Sequence, residues 1–490
     1  MKVILAIDSG TTGNRVLAFS HDLDIVAESY YEFPKTHPKP GWVEQDAEQI
    51  WQTLRQALLD VSAKVGVENI VAIGITNQRE TTIVWDRESG KPAANAIVWQ
   101  DRRTADMCAQ LADATAAVKT KTGLFIDPYF SATKIKWMLD HVDGLRARAE
   151  AGSLAFGTVD SWLIWKLTGG RLHATDPSNA SRTLCFNIRT MEYDDELLAL
   201  FGVPRALVPE VRPSNGSFGV TEANLLGRET PIAGVLGDQQ SALFGQGGWE
   251  HGIVKNTYGT GLFLMASTGE AIPDSGNLIN TIGWQLDDEV TYAIEGSVFV
   301  GGACLQWLRD QLGLLASAAD SQPMAESLDS NDGVYFVPAL AGLGAPYWDP
   351  DARGMIIGLT QGTTPSHIAR AALEGIAYQS RDMIEEMQQV AGSLEFTRMR
   401  VDGGVAKNDF LMQFQADISG LEIERPVIIE STAVGAAAIA GMATGFWTRD
   451  ELQQLRKTDR IFTPAMAPAQ RDAHCRRWQD AVKRALKWEK

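Results

Sequence analysis

The chain opens with an apolar run at residues 3–7, a turn-rich segment Ser9-Gly10-Thr11-Thr12-Gly13-Asn14, and a second apolar run at 15–19. Two such runs around a glycine-containing turn predict a β-hairpin. About half a chain later the pattern returns: 252–256 leads into Thr257-Tyr258-Gly259-Thr260-Gly261 and then the apolar 262–266. Residues 69–76 (NIVAIGIT) form a continuous apolar run, as a strand covered on both faces does. Residues 47–65 set Ile50, Trp51, Leu54, Leu58 and Val61 at helical spacing, which predicts an amphipathic helix. A helical pattern also covers 367–389. Residues 399–402 read as a strand entering the tight turn Gly403-Gly404, with a helix after Asn408. Residues 431–447, rich in Ala, Gly and Thr, predict a closely packed buried helix; the stretch is short for a membrane span.

Strands alternating with helices predict an α/β fold. The two Gly/Thr hairpins suggest two similar lobes, 1–247 and 248–490, with a cleft between them. Hairpins of this kind are common, so the pattern alone leaves duplication and coincidence both open.

At 490 residues the chain is long enough for two or three domains. It carries 44 Lys and Arg against 61 Asp and Glu, a formal charge of −17. That balance argues against nucleic acid or an anionic membrane as partner, because binding phosphates takes clustered cations. Four scattered cysteines make neither a disulfide framework nor a zinc site. Reduced thiols in a cytoplasmic protein are the expected state.

Walker A, HExxH and an early GxGxxG are missing, which disfavours P-loop, zincin and simple dinucleotide chemistry. The two turns also suit phosphate, although a plain hairpin is the commoner role for such a turn taken alone. Glycines let backbone amides approach an anion, and threonine hydroxyls add donors. Asp8, ending the first strand, is placed to hold Mg²⁺ directly or through water. Arg15 offers a fork for phosphate oxygens. Asp238, after the apolar run 232–236, sits at a strand end where it could take a proton from a hydroxyl, although a helix N-cap is the commoner role for such an aspartate. Arg79-Glu80 suits a polyhydroxyl ligand; the plainer reading is a solvated ion pair.

Together these segments resemble a family. AIDSGTTGNR, IGITNQRETT, NAIVWQDRRT, DPYFSATKIKW, GTVDSWLIWKLTGG, TDPSNASRT, GDQQSALFGQ, KNTYGTGLFL, APYWDPDARGMIIGLT, VDGG and STAVGAAAIAG are similar to the FGGY carbohydrate kinases over nearly the whole chain, to about Phe446. Stretches 129–141 and 354–374 fit that family's general signatures. The set TNQRETT, WQDRRT and GDQQ points, within it, to glycerol as acceptor. The resemblance implies two ribonuclease-H-like lobes of the actin, Hsp70 and sugar-kinase superfamily around a nucleotide cleft. It implies phosphoryl transfer from ATP to glycerol, giving sn-glycerol 3-phosphate, with Asp238 as general base. ATP phosphates would meet Thr11, Thr12, Gly13, Arg15 and Thr260, and the nucleoside would lie near Gly302, Gln306, Gly404 and Asn408. Glycerol would be held by Arg79, Glu80, Tyr129, Asp238 and Gln239, with Trp99 and Phe263 on its carbon edge. Mg²⁺ would sit near Asp8 and Asp238. For Trp99, Tyr129 and Phe263 the residues alone favour core packing. A kinase of another small polyol or ketose, and an Hsp70- or actin-like ATPase without a small acceptor, are the competing readings. A homo-oligomer is compatible with all three.

Two features depart from the family pattern. Ser9 and Gly13-Asn14 stand where Gln and Ser-Ser are usual. Residues Leu226-Gly227-Arg228-Glu229-Thr230 poorly match the regulatory loop that some bacterial members use for fructose 1,6-bisphosphate.

Overall fold

A computed structural model describes residues 1–392 and 394–489. Two sheets organise it. The first contains β1 (Val3–Ser9), β2 (Gly13–Phe19), β3 (Ile25–Glu32), β4 (Ile70–Asn77) and β5 (Ile232–Gly237) in the order β5-β4-β1-β2-β3. Strands β1, β2 and β3 form an antiparallel meander, while β4 and β5 run parallel to β1. The second contains β6 (Ile253–Tyr258), β7 (Leu262–Gly269), β8 (Ile279–Leu286), β9 (Glu289–Val298), β10 (Arg398–Asp402), β11 (Glu422–Pro426) and β12 (Thr458–Phe462), in the order β8-β9-β7-β6-β10-β11-β12. Here β6, β7 and β9 repeat the meander, and β10 and β11 repeat the two parallel strands. Strands β8 and β12 extend the two edges. The hairpins read from sequence are therefore the same element of two equivalent sheets.

Helix α1 (Ala47–Val65) lies on the first sheet and buries Ile50, Trp51, Leu54, Leu58 and Val61. Asp46 caps it by accepting from the Glu48 amide, which satisfies one of its free N–H groups. Helix α2 (Asp238–Gly245) follows β5, and helix α3 (Gly302–Asp310) follows the second meander. The long helix α4 (Pro365–Ala391) covers the far face of the second sheet, extending two residues past each end of the sequence pattern. Helix α5 (Asp409–Ser419) follows β10, and helix α6 (Ser431–Ala443) follows β11.

Two of these helices exchange sheets. Helix α2 leaves the first sheet yet packs on β7 and β8 of the second, whereas α6 leaves the second and packs on β1, β4 and β5 of the first. Helices α2 and α6 cross at Gly435, and α6 meets β4 at Gly74. A Cβ on Gly435 would lie 1.9 Å from the Ser241 carbonyl oxygen, and one on Gly74 would lie 1.9 Å from that of Ala436. No side chain fits at either position, which explains the Ala/Gly composition of this segment. As expected, 431–443 is a buried helix; among the described residues no helix is long and apolar enough to cross a membrane.

Candidate active site

Side chains at the strand ends of the first sheet meet the second: Arg79, after β4, joins Asp238, after β5, to Glu295 of β9. In the first turn the Gly10 amide donates to the Gly13 carbonyl at 3.0 Å, and Gln45 donates to the Thr11 carbonyl at 2.7 Å. The departure at Gly13 has a steric cause: a Cβ there would fall 2.6 Å from the Tyr31 carbonyl oxygen and 2.7 Å from the Tyr30 hydroxyl. Asn14 points away from the turn, its amide donating to the Ile50 carbonyl at 2.7 Å and the Thr53 hydroxyl at 2.8 Å, so it ties β2 to α1. Ser9 is fully buried, and its hydroxyl has no partner among the described residues.

The second turn mirrors the first. Gly259 donates to the Gly261 carbonyl at 3.0 Å, and the amides of Gly301 and Ala303 donate to the Thr260 carbonyl. A Cβ on Gly302 would lie 2.8 Å from both the Gly259 oxygen and Val405 Cγ2, so α3 and the Gly403-Gly404 turn close against it. Gly404 itself faces open space, and Gln306 is exposed one turn into α3. Asn408 is partly committed as the N-cap of α5: it accepts from the Leu411 amide at 2.9 Å and donates to the Ser321 hydroxyl at 3.2 Å.

Arg79 and Glu80 follow β4 and are buried, not a solvated surface pair. Glu80 adopts φ 60°, a left-handed conformation that costs a non-glycine residue about 1–3 kcal/mol and is met mostly at functional sites. Arg79 is the hub. Its Nη1 and Nη2 donate to Glu295 at 2.5 and 3.0 Å, and its Nε lies 3.2 Å from Asp238 Oδ1. Nη1 also donates to Gln240 at 3.1 Å. Arg182 donates to Glu80 at 2.6 Å and to Glu295 at 3.1 Å. Lys255 Nζ donates to the Gln239 side-chain oxygen at 2.5 Å and to the Phe263 carbonyl at 3.3 Å. Three cations (Arg79, Arg182, Lys255) thus face three carboxylates (Glu80, Asp238, Glu295), a balance that buried charges require.

The groups respond differently. Burial raises the Glu295 carboxyl, but Arg182 and Arg79 outweigh it and hold the group at about 2. Burial raises Glu80 and Asp238 above the ordinary carboxylate range despite their arginine neighbours. Burial also pushes Lys255 down to about 8, against the pull of Asp402 and Asp238. Asp238 begins α2, with Gly237 as the N-cap residue. Its Oδ1 accepts from the Gln239 amide at 2.7 Å and forms an ion pair with Arg79 Nε at 3.2 Å, while Oδ2 has no hydrogen-bond partner among the described residues. The Asp238 side chain is 27% exposed, and a carboxylate oxygen without a partner is chemically able to accept a proton.

Trp99 and Tyr129 flank this cluster. Their rings meet edge to face at 5.6 Å, and the Tyr129 hydroxyl is 3.5 Å from Arg79 Nη2. Trp99 Nε1 donates to the Thr11 hydroxyl at 3.0 Å, linking the aromatic wall to the first turn. Register puts Phe263 opposite Thr257 and Ser297, at the strand ends of the second turn.

Asp8 accepts from the Thr432 hydroxyl at 2.6 Å, and Arg15, half-buried, pairs with Glu430 at 3.2 Å. Burial raises Asp8, and its charge in turn raises Asp238. Two mutually repelling carboxylates with free lone pairs fit a hard divalent cation that completes its shell with phosphate and water. Among the described residues no cluster of three ligating side chains forms an all-protein metal cage. Sequence reasoning missed Arg182, Glu295, Lys255, Gln240, Glu430 and Thr432. A single charge inside an apolar strand, as at Glu295 and Lys255, was the available signal.

The chain is similar to known proteins over nearly its whole length. Residues 3–245 match the FGGY family of carbohydrate kinases, N-terminal domain, and 254–444 match its C-terminal domain. Glycerol kinase of Aquifex aeolicus is 51% identical over 490 residues, covering 100% of this chain and 99% of that protein. A solved structure of Plasmodium falciparum glycerol kinase with ADP superposes with a TM-score of 0.94 at 36% identity, covering 99% of this chain and 98% of the other. A ligand-bound xylulose kinase of Lactobacillus acidophilus shares the fold, with a TM-score of 0.87 at 22% identity over 99% and 97% of the two chains.

Proposed function

The chain belongs to the FGGY family of carbohydrate kinases, and we propose that within it the chain phosphorylates glycerol with ATP through the cleft residues just described. The product is sn-glycerol 3-phosphate. One observation carries the residue assignment: Arg79 and the Gln239 amide engage Oδ1 of Asp238, so Oδ2 is left without a hydrogen-bond partner among the described residues.

Glycerol hydroxyls are held by Arg79, Glu80, Tyr129 and Gln239, and the carbon edge lies on Trp99 and Phe263. Asp238 Oδ2 takes the proton of a terminal hydroxyl, and that oxygen attacks the γ-phosphorus in line with the leaving ADP oxygen. Burial makes Asp238 more basic than a free aspartate, which favours this transfer. The turns at Thr11, Thr12 and Gly13 and at Thr260 hold the phosphates, with Arg15 adding charge. Most of the catalysis is positioning and electrostatic stabilisation, as in other phosphoryl transfers. The nucleoside rests against Gly302, Gln306, Gly404 and Asn408. Mg²⁺, held by Asp8 and Asp238, would neutralise phosphate charge. We set the lobe boundary at 247/248, in the linker between α2 and β6. ATP as substrate and four free, buried thiols favour the cytoplasm.

The test is ADP release from Mg·ATP with glycerol, dihydroxyacetone, erythritol, xylulose or no acceptor. A glycerol-dependent signal with glycerol 3-phosphate detected supports the reading. Acceptor-independent ADP release would replace it with an ATPase, and a response only to another acceptor would move the substrate.

A further inference from the structure

Strand register lines up five residues across the second sheet: Glu295, Met265, Lys255, Arg400 and Glu424. Paired residues on neighbouring strands project to one face. Met265 packs in the apolar cluster that also contains Ile4, Ala6, Leu17 and Phe19 of the first sheet, so this face looks toward the first lobe. Four of the five are charged and all are buried. Such a row is costly unless each charge meets a partner. The partners lie on the polyol cluster and the linker. Glu295 takes both Arg79 and Arg182, Lys255 takes Gln239, and Arg400 takes the Gln246 carbonyl and, at 2.8 Å, Glu250.

We propose that Glu295 and Lys255 are positioning residues through which the second lobe sets the polyol site of the first. Glu295 grips both terminal nitrogens of Arg79 and so fixes the plane of the guanidinium. That plane aims Nε at Asp238 Oδ1, which leaves Oδ2 without a hydrogen-bond partner among the described residues. Lys255 is anchored by the Phe263 carbonyl, and its ammonium holds the Gln239 side-chain oxygen, leaving the Gln239 amide nitrogen for a hydroxyl. Neither residue contacts the polyol. The site is incomplete until the two sheets are in register, so acceptor affinity and lobe closure share one set of bonds. The row continues to Arg400 at the linker, which gives the coupling a physical route.

The inference rests on Arg79 and Gln239 being polyol ligands, and the experiment separates the two claims. Steady-state constants are measured for Glu295→Gln, Glu295→Asp, Lys255→Met, Arg79→Met, Gln239→Ala and the Lys255→Met/Gln239→Ala double variant. Loss of a charged hydrogen bond predicts that Glu295→Gln and Lys255→Met each raise the glycerol KM by about tenfold or more, with the ATP KM within about twofold. Glu295→Asp recovers part of the loss. Once Gln239 is removed, Lys255→Met adds nothing further, a result that a merely structural lysine would not give. If Arg79→Met and Gln239→Ala raise the glycerol KM while Glu295→Gln and Lys255→Met leave it unchanged, the proposal is overturned and the ligand assignment stands. If none of them moves it, both fail. Should Glu295→Gln not fold, the Lys255–Gln239 cycle decides alone.

Discussion

Trp99 Nε1 donates to the Thr11 hydroxyl at 3.0 Å, so the residue proposed for the polyol wall also braces the turn proposed to hold phosphate. Trp99→Phe keeps the ring and removes the donor. One hydrogen bond is worth about 0.5–1.5 kcal/mol, which predicts a rise of roughly 2- to 10-fold in the ATP KM. The glycerol KM should move less. Initial-rate kinetics against each substrate check the split, and an unchanged ATP KM would detach Thr11 from the nucleotide.

How far the sequence foretold this site follows from the range of each interaction. The two hairpins, α1 and the buried 431–443 helix are local patterns, and apolar spacing marks them. The Arg79–Glu295 pair spans 216 residues, and Arg182–Glu80 spans 102. No local window contains both partners. Seen locally, Arg79-Glu80 resembles a surface ion pair; only the convergence of β4 with β9 buries it. Gly13 reads as a lost serine hydroxyl, whereas the structure shows a site that Tyr30 and Tyr31 leave too small for any side chain. The exchange of α2 and α6 between sheets has no sequence signal beyond the glycines at their crossing.

Those glycines make a stability prediction. Gly435→Ala forces a Cβ to 1.9 Å from the Ser241 carbonyl oxygen, a backbone atom. The two helices must separate, at a cost of about 1–3 kcal/mol or more. Gly404→Ala, where nothing lies within 4 Å, should leave the melting temperature unchanged. Calorimetry of the two variants compares them directly. If Gly404 lines the nucleoside site, Gly404→Ala raises the ATP KM without that loss of stability.

Acid stability should report Glu295. Its carboxyl is held at about 2 against an ordinary 4.5, so the folded state binds its proton less readily than the unfolded chain does. The resulting stability is fully present above pH 4.5 and is lost as pH falls toward 2. A shift of this size corresponds to about 3 kcal/mol. The difference in unfolding free energy between the wild type and Glu295→Gln should therefore be largest near neutral pH and shrink below pH 4.5. A difference independent of pH would show that Glu295 contributes packing rather than charge.

Asp8→Asn tests the metal assignment. The substitution keeps the acceptor for Thr432 but removes a negative charge from the pair with Asp238. The Mg²⁺ concentration for half-maximal rate should rise by at least about tenfold. Binding of metal-free ATP, measured by calorimetry, should not weaken. An unchanged Mg²⁺ requirement would remove Asp8 from the metal site.

The base assignment is the centre of the account, and rapid-quench phosphoryl transfer in Asp238→Asn tests it most directly. Asparagine can keep the Oδ1 contacts with Arg79 and the Gln239 amide, but it cannot accept the hydroxyl proton at the second position. With glycerol, Mg²⁺ and ATP all at saturating concentration, the transfer rate should fall by roughly a thousandfold. A rate within about tenfold of wild type, below the range expected for loss of a general base, would contradict Asp238 as the proton acceptor.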